Sequence, residues 1–411
     1  MGYKKLDSRS VHKYFERFHS DVADVDAPFN KKHFDLIIVI PAKNERDLKD
    51  TIISLSNCKT TANFGVIVIL NASKNDPTEV KKCNMRNFTM VEELKKDLEF
   101  PLFAKVLNNI DPKYAGVGNA RKIGMDLALK QFSVIDNNGV IVNLDADCLV
   151  SENYIQEIHR TFSRSEADLL ATLHFEHQDG VTPIQSRKIE LYELHLRYYV
   201  NGLRSANYPF HMHTVGSCIA VSASAYCKFG GMNRRKAGED FYFIHKLATQ
   251  IRHLQISEAT VFPSARNSDR VPFGTGASMI RMESETPCFF TYDPVVFSYL
   301  SKLMADFHKD SFYENPKITQ DISNEFLDRV DFNKHFERLR ENTAGRETFD
   351  KKLFQWFDGF KVMKYVHYVT ETLHPKIDVE DACRSLLVIL GKEPEKNLLN
   401  QYRSLDRSTN W

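Results

Sequence analysis

Three continuous apolar runs, each followed at once by polar residues, organise the first part of the chain. "FDLIIVI" (34–40) gives way to "PAKNE", "GVIVIL" (65–70) to "NASKND", and "GVIVNL" (139–144) to "DAD". Runs this short, rich in β-branched residues and without polar alternation, predict strands buried on both faces. Between them the spacing changes. Leu48, Ile52 and Leu55 predict a helix, as do "NARKIGMDLALKQF" and "SENYIQEIHRTF", the last with Ser151 as its N-cap. Strand–helix alternation predicts an α/β fold, with a mostly parallel sheet and helices on both faces. Such sheets bind ligands beyond the carboxyl ends of their strands, where the three polar clusters fall.

The two ends of the chain have a different texture. Residues 1–30 read as an N-terminal helical lead with Tyr14, Phe15 and Phe18 on one side, closed by a turn in "DVADVDAPFN". Residues 31–290 hold the α/β pattern, and 291–411 read as a C-terminal helical region. There Phe349, Leu353, Phe357, Phe360 and Met363 predict the apolar face of one helix. "VEDACRSLLVILG" predicts another, with Gly391 at its C-terminal cap. No internal repeat or low-complexity segment interrupts the three regions.

Charge removes one class of partner. The 411 residues carry 55 basic and 54 acidic side chains, a formal net charge of +1, without the basic excess that nucleic-acid binding demands. An apolar share of 42% suits a soluble globular protein. The N-terminus lacks a signal-peptide core, and Leu6 stands where a myristoylation signal has Ser or Thr. No apolar run approaches the roughly 20 residues that cross a bilayer. Seven scattered cysteines without a CxxC pair suit reduced thiols. The expectation is a soluble cytoplasmic protein, with peripheral membrane contact left open.

Candidate chemistry gathers at the strand ends. Asp145 and Asp147 repel each other two residues apart, so a cation or water should lie beside them. Mg²⁺ and Mn²⁺ take such oxygen ligands together with substrate phosphates, though a solvated turn before a helix would look the same. Asn44 and Glu45 could meet a base or ribose, or Asn44 could cap a helix. "AGVGNARKIG" (115–124) is neither a dinucleotide fingerprint nor a P-loop. Its Arg121 suits bidentate contact with a diphosphate or carboxylates, or is an exposed helical charge. Glu239 and Asp240 follow Gly238 at a helix start, where a carboxylate could take a hydroxyl proton or simply complement the helix dipole. "SARNSDRVPFGTG" (264–276) carries Arg266 and Arg270, in a loop that could close over a charged ligand or lie on the surface. "HFEH" and "HMH" lack the partners of a structural zinc site.

In this order, "VIPAKNE", "LNASKND", "GVGNARKIG", "NLDADCLV" and "GGMNRRKAGED" resemble a family 2 glycosyltransferase of the GT-A fold, over about residues 34–290. "PSARNSDRVPFGTG" looks like a loop found in a subset of bacterial members. The resemblance implies a nucleotide-diphosphate sugar donor (UDP-, GDP- or dTDP-linked), Mn²⁺ or Mg²⁺, and a carbohydrate or glycolipid acceptor, in surface polysaccharide or glycoconjugate synthesis. By position it implies that Pro41, Ala42, Asn44 and Glu45 line the nucleoside pocket, with Asn71 where the family usually has an acid. Asp145 and Asp147 become the Asp-x-Asp pair, with Asp147 in direct metal contact, and Arg121 orders the donor site. Arg266 and Arg270 join the donor site, and Asp240, beside Glu239, becomes the base of an inverting displacement.

Two departures bear on these implications. The second strand end reads Leu70-Asn71-Ala72-Ser73, and the missing acid leaves guanosine and thymidine donors open beside uridine. The C-terminal helices stand where polymer synthases of the family have membrane segments, so processive synthesis through a membrane is not expected. Two other readings remain open. One is a non-catalytic sugar-nucleotide-binding or scaffold protein. The other is a sugar-nucleotide nucleotidyltransferase, which would carry a Gly-rich, Arg-containing loop where "PAKNE" stands.

Overall fold

The computed structural model describes residues 5–18, 26–30, 33–266, 275–282 and 287–408. Contacts divide the chain into two compact units, 1–179 with 214–277, and 180–213 with 278–411. In the first, the apolar runs are β1 (Leu36–Ala42), β2 (Phe64–Ser73) and β4 (Val140–Asn143). They share an eight-stranded sheet with β3 (Leu102–Ile110), β5 (Leu149–Val150), β6 (Leu169–Phe175), β7 (Ile219–Ser222) and β8 (Arg252–Phe262). The strand order is β3-β2-β1-β4-β7-β6-β8-β5.

Direction in this sheet places the chemistry. β1 pairs in parallel with β2 and β4, and β2 with β3. β7 runs antiparallel between β4 and β6, β6 pairs in parallel with β8, and the short β5 pairs antiparallel with β8. The carboxyl ends of β1, β2, β4, β6 and β8 therefore share one edge. Every residue of β1, β2, β4 and β6 is buried, so both faces are covered, as continuous apolar strands require.

The expected helices form at Leu48–Ser56, Val117–Val134 and Tyr154–Ser163. The last corrects one expectation: its N-cap is Asn153, not Ser151. The Ser151 hydroxyl instead donates to Asn153 Oδ1 at 2.7 Å and accepts the Thr260 N–H at 2.9 Å, serving the neighbouring strand. In the lead, the helix Ser8–Phe18 buries Tyr14, whose hydroxyl donates to Asp126 at 2.6 Å.

The second unit is helical around an aromatic-rich core that includes Tyr198, Phe297, Phe307, Phe336 and Tyr365. A two-stranded ladder, Phe290–Thr291 with Ile377–Asp378, is its only sheet among the described residues. The stretch expected as one helix forms two, Arg346–Trp356 and Gly359–Thr372. Asp358 breaks the run by accepting the Lys361 N–H at 3.0 Å as an N-cap. Gly391 follows the helix Val379–Ile389 in the left-handed conformation, as expected of a C-terminal cap. Among the described residues no disulfide joins any of the seven cysteines. Among the described residues no helix is long and apolar enough to cross a membrane.

Candidate functional site

The end of β1 turns on a network of asparagines. After Pro41 and Ala42, Asn44 adopts a left-handed φ of 51°, so it does not cap the helix that starts at Leu48 behind Asp47. Its N–H donates to Asn84 Oδ1 at 3.1 Å, and Asn84 Nδ2 donates to the Asn71 carbonyl and to Asn108 Oδ1, both at 3.1 Å. Asn87 Nδ2 donates to the Glu45 carbonyl at 2.7 Å. Asn84 and Asn87 come from the helix Thr78–Leu94, and Asn108 from β3. None of the three is legible in the sequence, because polar residues inside a helix and an edge strand carry no periodic signal.

At the end of β4, Arg121 gathers the acids. It enters from the first turns of the helix Val117–Val134, buried, with Nη2 on Asp145 Oδ1 at 2.5 Å and Nη1 on Glu239 Oε1. Two glycines make room for this approach. A Cβ on Gly216 would lie 2.4 Å from the Arg121 guanidinium, and one on Gly118 would lie 2.3 Å from the Arg235 carbonyl oxygen. Gly118 thereby admits the loop that leads to Glu239.

Glu239 and Asp240 open the helix Glu239–Ala248. Burial pushes Glu239 up to about 7, against the pull of Arg121, with Asp240 and Asp145 raising it further. Burial also raises Asp240, while Arg121 and the Phe241 N–H, which donates to Asp240 Oδ1 at 2.7 Å, pull it back. Glu239 is sealed, whereas Asp240 is only half-buried. Burial works to lower Arg121, yet the surrounding carboxylates hold it above its ordinary value.

A second arginine serves the other aspartate. Arg266, four residues beyond β8, places Nη2 on Asp147 Oδ2 at 2.9 Å. The same guanidinium is bidentate on Glu45, with Nη1 on Oε1 and Nη2 on Oε2 at 2.5 Å, and Nη1 also lies 3.2 Å from Asp47 Oδ2. Gln178 ties the parts together, its Nε2 donating to the Phe262 carbonyl at 2.7 Å and more weakly to the Asp147 carbonyl at 3.4 Å. Asp145 and Asp147 thus coexist because each has its own arginine.

The structure draws the expected residues into two groups: Pro41, Ala42, Asn44, Glu45 and Asn71 around the first two strand ends, and Arg121, Asp145, Glu239 and Asp240 around the third. Arg266 and Asp147 join the groups. Arg270 lies outside the described residues. No three His, Cys, Asp or Glu side chains converge as a metal cage among the described residues. Asp145 and Asp147, with side chains 34% and 22% exposed, could still offer hard oxygen ligands to a divalent ion completed by phosphate and water.

Part of the chain is similar to known proteins. Residues 37–227 match the model of Glycosyl transferase family 2. A search of curated protein sequences finds no match. Among solved structures, S. aureus TarS residues 1–349 align at 12% identity over 70% of this chain and 77% of that one, with a TM-score of 0.38. A second S. aureus TarS structure aligns at 13% identity over 69% of this chain and 46% of its own, with a TM-score of 0.37.

Proposed function

Residues 37–227 match Glycosyl transferase family 2, and from that premise we propose the reaction. The chain moves a sugar from a nucleotide-diphosphate donor to an acceptor hydroxyl, with inversion, in surface polysaccharide or glycoconjugate synthesis. One observation carries this reading. A single guanidinium, Arg121, joins Asp145 at the end of β4 to Glu239, whose neighbour is the half-buried Asp240. The carboxylate expected beside the diphosphate and the one expected beside the acceptor are thereby held in one frame.

In this reading the nucleoside sits against Pro41, Ala42 and Asn44, with Asn71 at its edge, and the turn is fixed by Asn84. Asp240 takes the proton of the acceptor hydroxyl, because it is the more exposed carboxylate of its pair and burial raises its basicity. The acceptor oxygen bonds to the anomeric carbon on the face opposite the diphosphate. The bond from that carbon to the phosphate oxygen breaks, and its electron pair leaves with the diphosphate through an oxocarbenium-like transition state. Glu239 orients Arg121 rather than meeting the acceptor. A divalent ion held by Asp147 and Asp145, when bound, would supply neutralisation of the leaving diphosphate.

Asp240→Asn should keep nucleotide binding and lose transfer by about 10²–10⁴-fold. Undiminished transfer would reject Asp240 as the base, and retained anomeric configuration in the product would reject inversion. Donor binding without hydrolysis or transfer to any acceptor would favour a non-catalytic sensor. Pyrophosphate release from a nucleoside triphosphate and a sugar phosphate would favour nucleotidyl transfer.

A further inference from the structure

The two arginines on Asp-x-Asp are not equivalent. The Arg121 side chain is 4% exposed and shared between Asp145 and a sealed Glu239, so breaking its pairings strands buried charge. The Arg266 side chain is 25% exposed. Both of its terminal nitrogens already rest on Glu45, and Nη1 also lies near Asp47. It can give up Asp147, 2.9 Å from Nη2, and keep its guanidinium paired. Glu45 is itself buried, so Arg266 stays anchored beside the site after letting go.

We infer that Arg266 is an internal counter-cation that a divalent ion must displace from Asp147, and that it thereby sets the affinity of the chain for free metal. The inference rests on the reading of Asp147 as a metal ligand. Displacement makes metal and donor cooperative: the freed edge of Arg266 finds a new anion only when a diphosphate is present, so each ligand favours the other. Without donor, Asp147 remains neutralised by Arg266, and the Asp-x-Asp pair tolerates its own repulsion without metal. Glu45, expected at the nucleoside, becomes a positioning residue that keeps Arg266 within reach of the phosphates.

The test is titration of the full chain with Mn²⁺ alone, with free Mn²⁺ read by electron paramagnetic resonance. Arg266→Gln should bind Mn²⁺ about three- to tenfold more tightly than the parent chain. Arg266→Lys keeps the charge but not the fork, and should fall between the two. In an Asp147→Asn background the gain from Arg266→Gln should vanish. A gain of equal size in that background would mean a through-space charge effect and overturn the displacement. Parent-like affinity in both Arg266 variants, with Asp147→Asn still weakening Mn²⁺, would overturn the inference and leave the metal reading standing. Unchanged Mn²⁺ binding in Asp147→Asn would remove the metal reading and the inference with it.

Discussion

In the helical unit, Asp406 takes Arg197, Arg204 and His213 at 2.6, 3.0 and 2.7 Å, its carboxylate sealed from solvent. At the strand ends, among the described residues, Asp145 takes Arg121 and Asp147 takes Arg266, and both keep part of their surface open. The chemistry is the same and the closure differs. Every face of the Asp406 carboxylate is committed to holding helices together, and Asn201 Nδ2 adds a bond at 3.0 Å. The strand-end carboxylates are neutralised and stay partly exposed, which leaves surface for a ligand. A buried arginine–carboxylate pair is therefore not by itself a sign of function; the exposed side of the carboxylate is what offers room for a ligand.

The largest test of that contrast is Asp406→Asn. It takes a buried carboxylate from Arg204 and from Arg197, which keeps Glu193 at 2.8 Å, and should cost about 3–5 kcal/mol in denaturant unfolding of the full chain. A loss below about 1 kcal/mol would mean that the closed cluster is not what holds the helical unit. Arg121→Gln comes next, at about 2–3 kcal/mol, lower because Asp145 is a third exposed and Glu239 can take up a proton. It should also lose transfer.

The two clusters should respond to pH with opposite signs. Burial opposes ionisation of Asp406, but His213, Arg197 and Arg204 hold it well below its ordinary value of 3.8. Its contribution to stability is present above that ordinary value and is lost as pH falls through the folded one. Glu239 is raised from 4.5 to about 7. Its contribution is full below 4.5 and is lost as pH rises through 7, because the folded state then gives up the proton it held more tightly. Stability curves against pH should lose their decline between about 4.5 and 7 in Glu239→Gln and keep it in Asp406→Asn. The smallest stability effect belongs to Asp147→Asn, within about 1 kcal/mol of the parent chain, since its pairing is part-exposed. A loss of several kcal/mol would place Asp147 with the closed cluster.

Much of the α/β frame was legible because buried parallel strands write continuous apolar runs, as at 34–40, 65–70 and 139–144. Their polar termini marked the candidate site for the same reason: side chains at strand ends need no place in the core. What stayed hidden depends on distance along the chain. Arg266 and Glu45 are 221 residues apart, and Arg121 and Glu239 are 118 apart, so no local pattern pairs them. The residues of β3 alternate only in part and write no continuous run. The split at Asp358 was obscured because Phe349, Leu353, Phe360 and Met363 keep helical spacing across a capped break. Asn84 was missed because its role, holding the turn at Asn44, exists only once the strand ends are side by side.

The most direct test of the central claim, that the strand-end carboxylates serve a donor diphosphate, is calorimetric binding of UDP, GDP, dTDP and CDP. Each would be run with and without Mn²⁺ on the full chain and on Asp147→Asn. The account requires one nucleotide to bind in a metal-dependent way and to be lost in the variant. Binding of none, or binding that Asp147→Asn leaves unchanged, would contradict it.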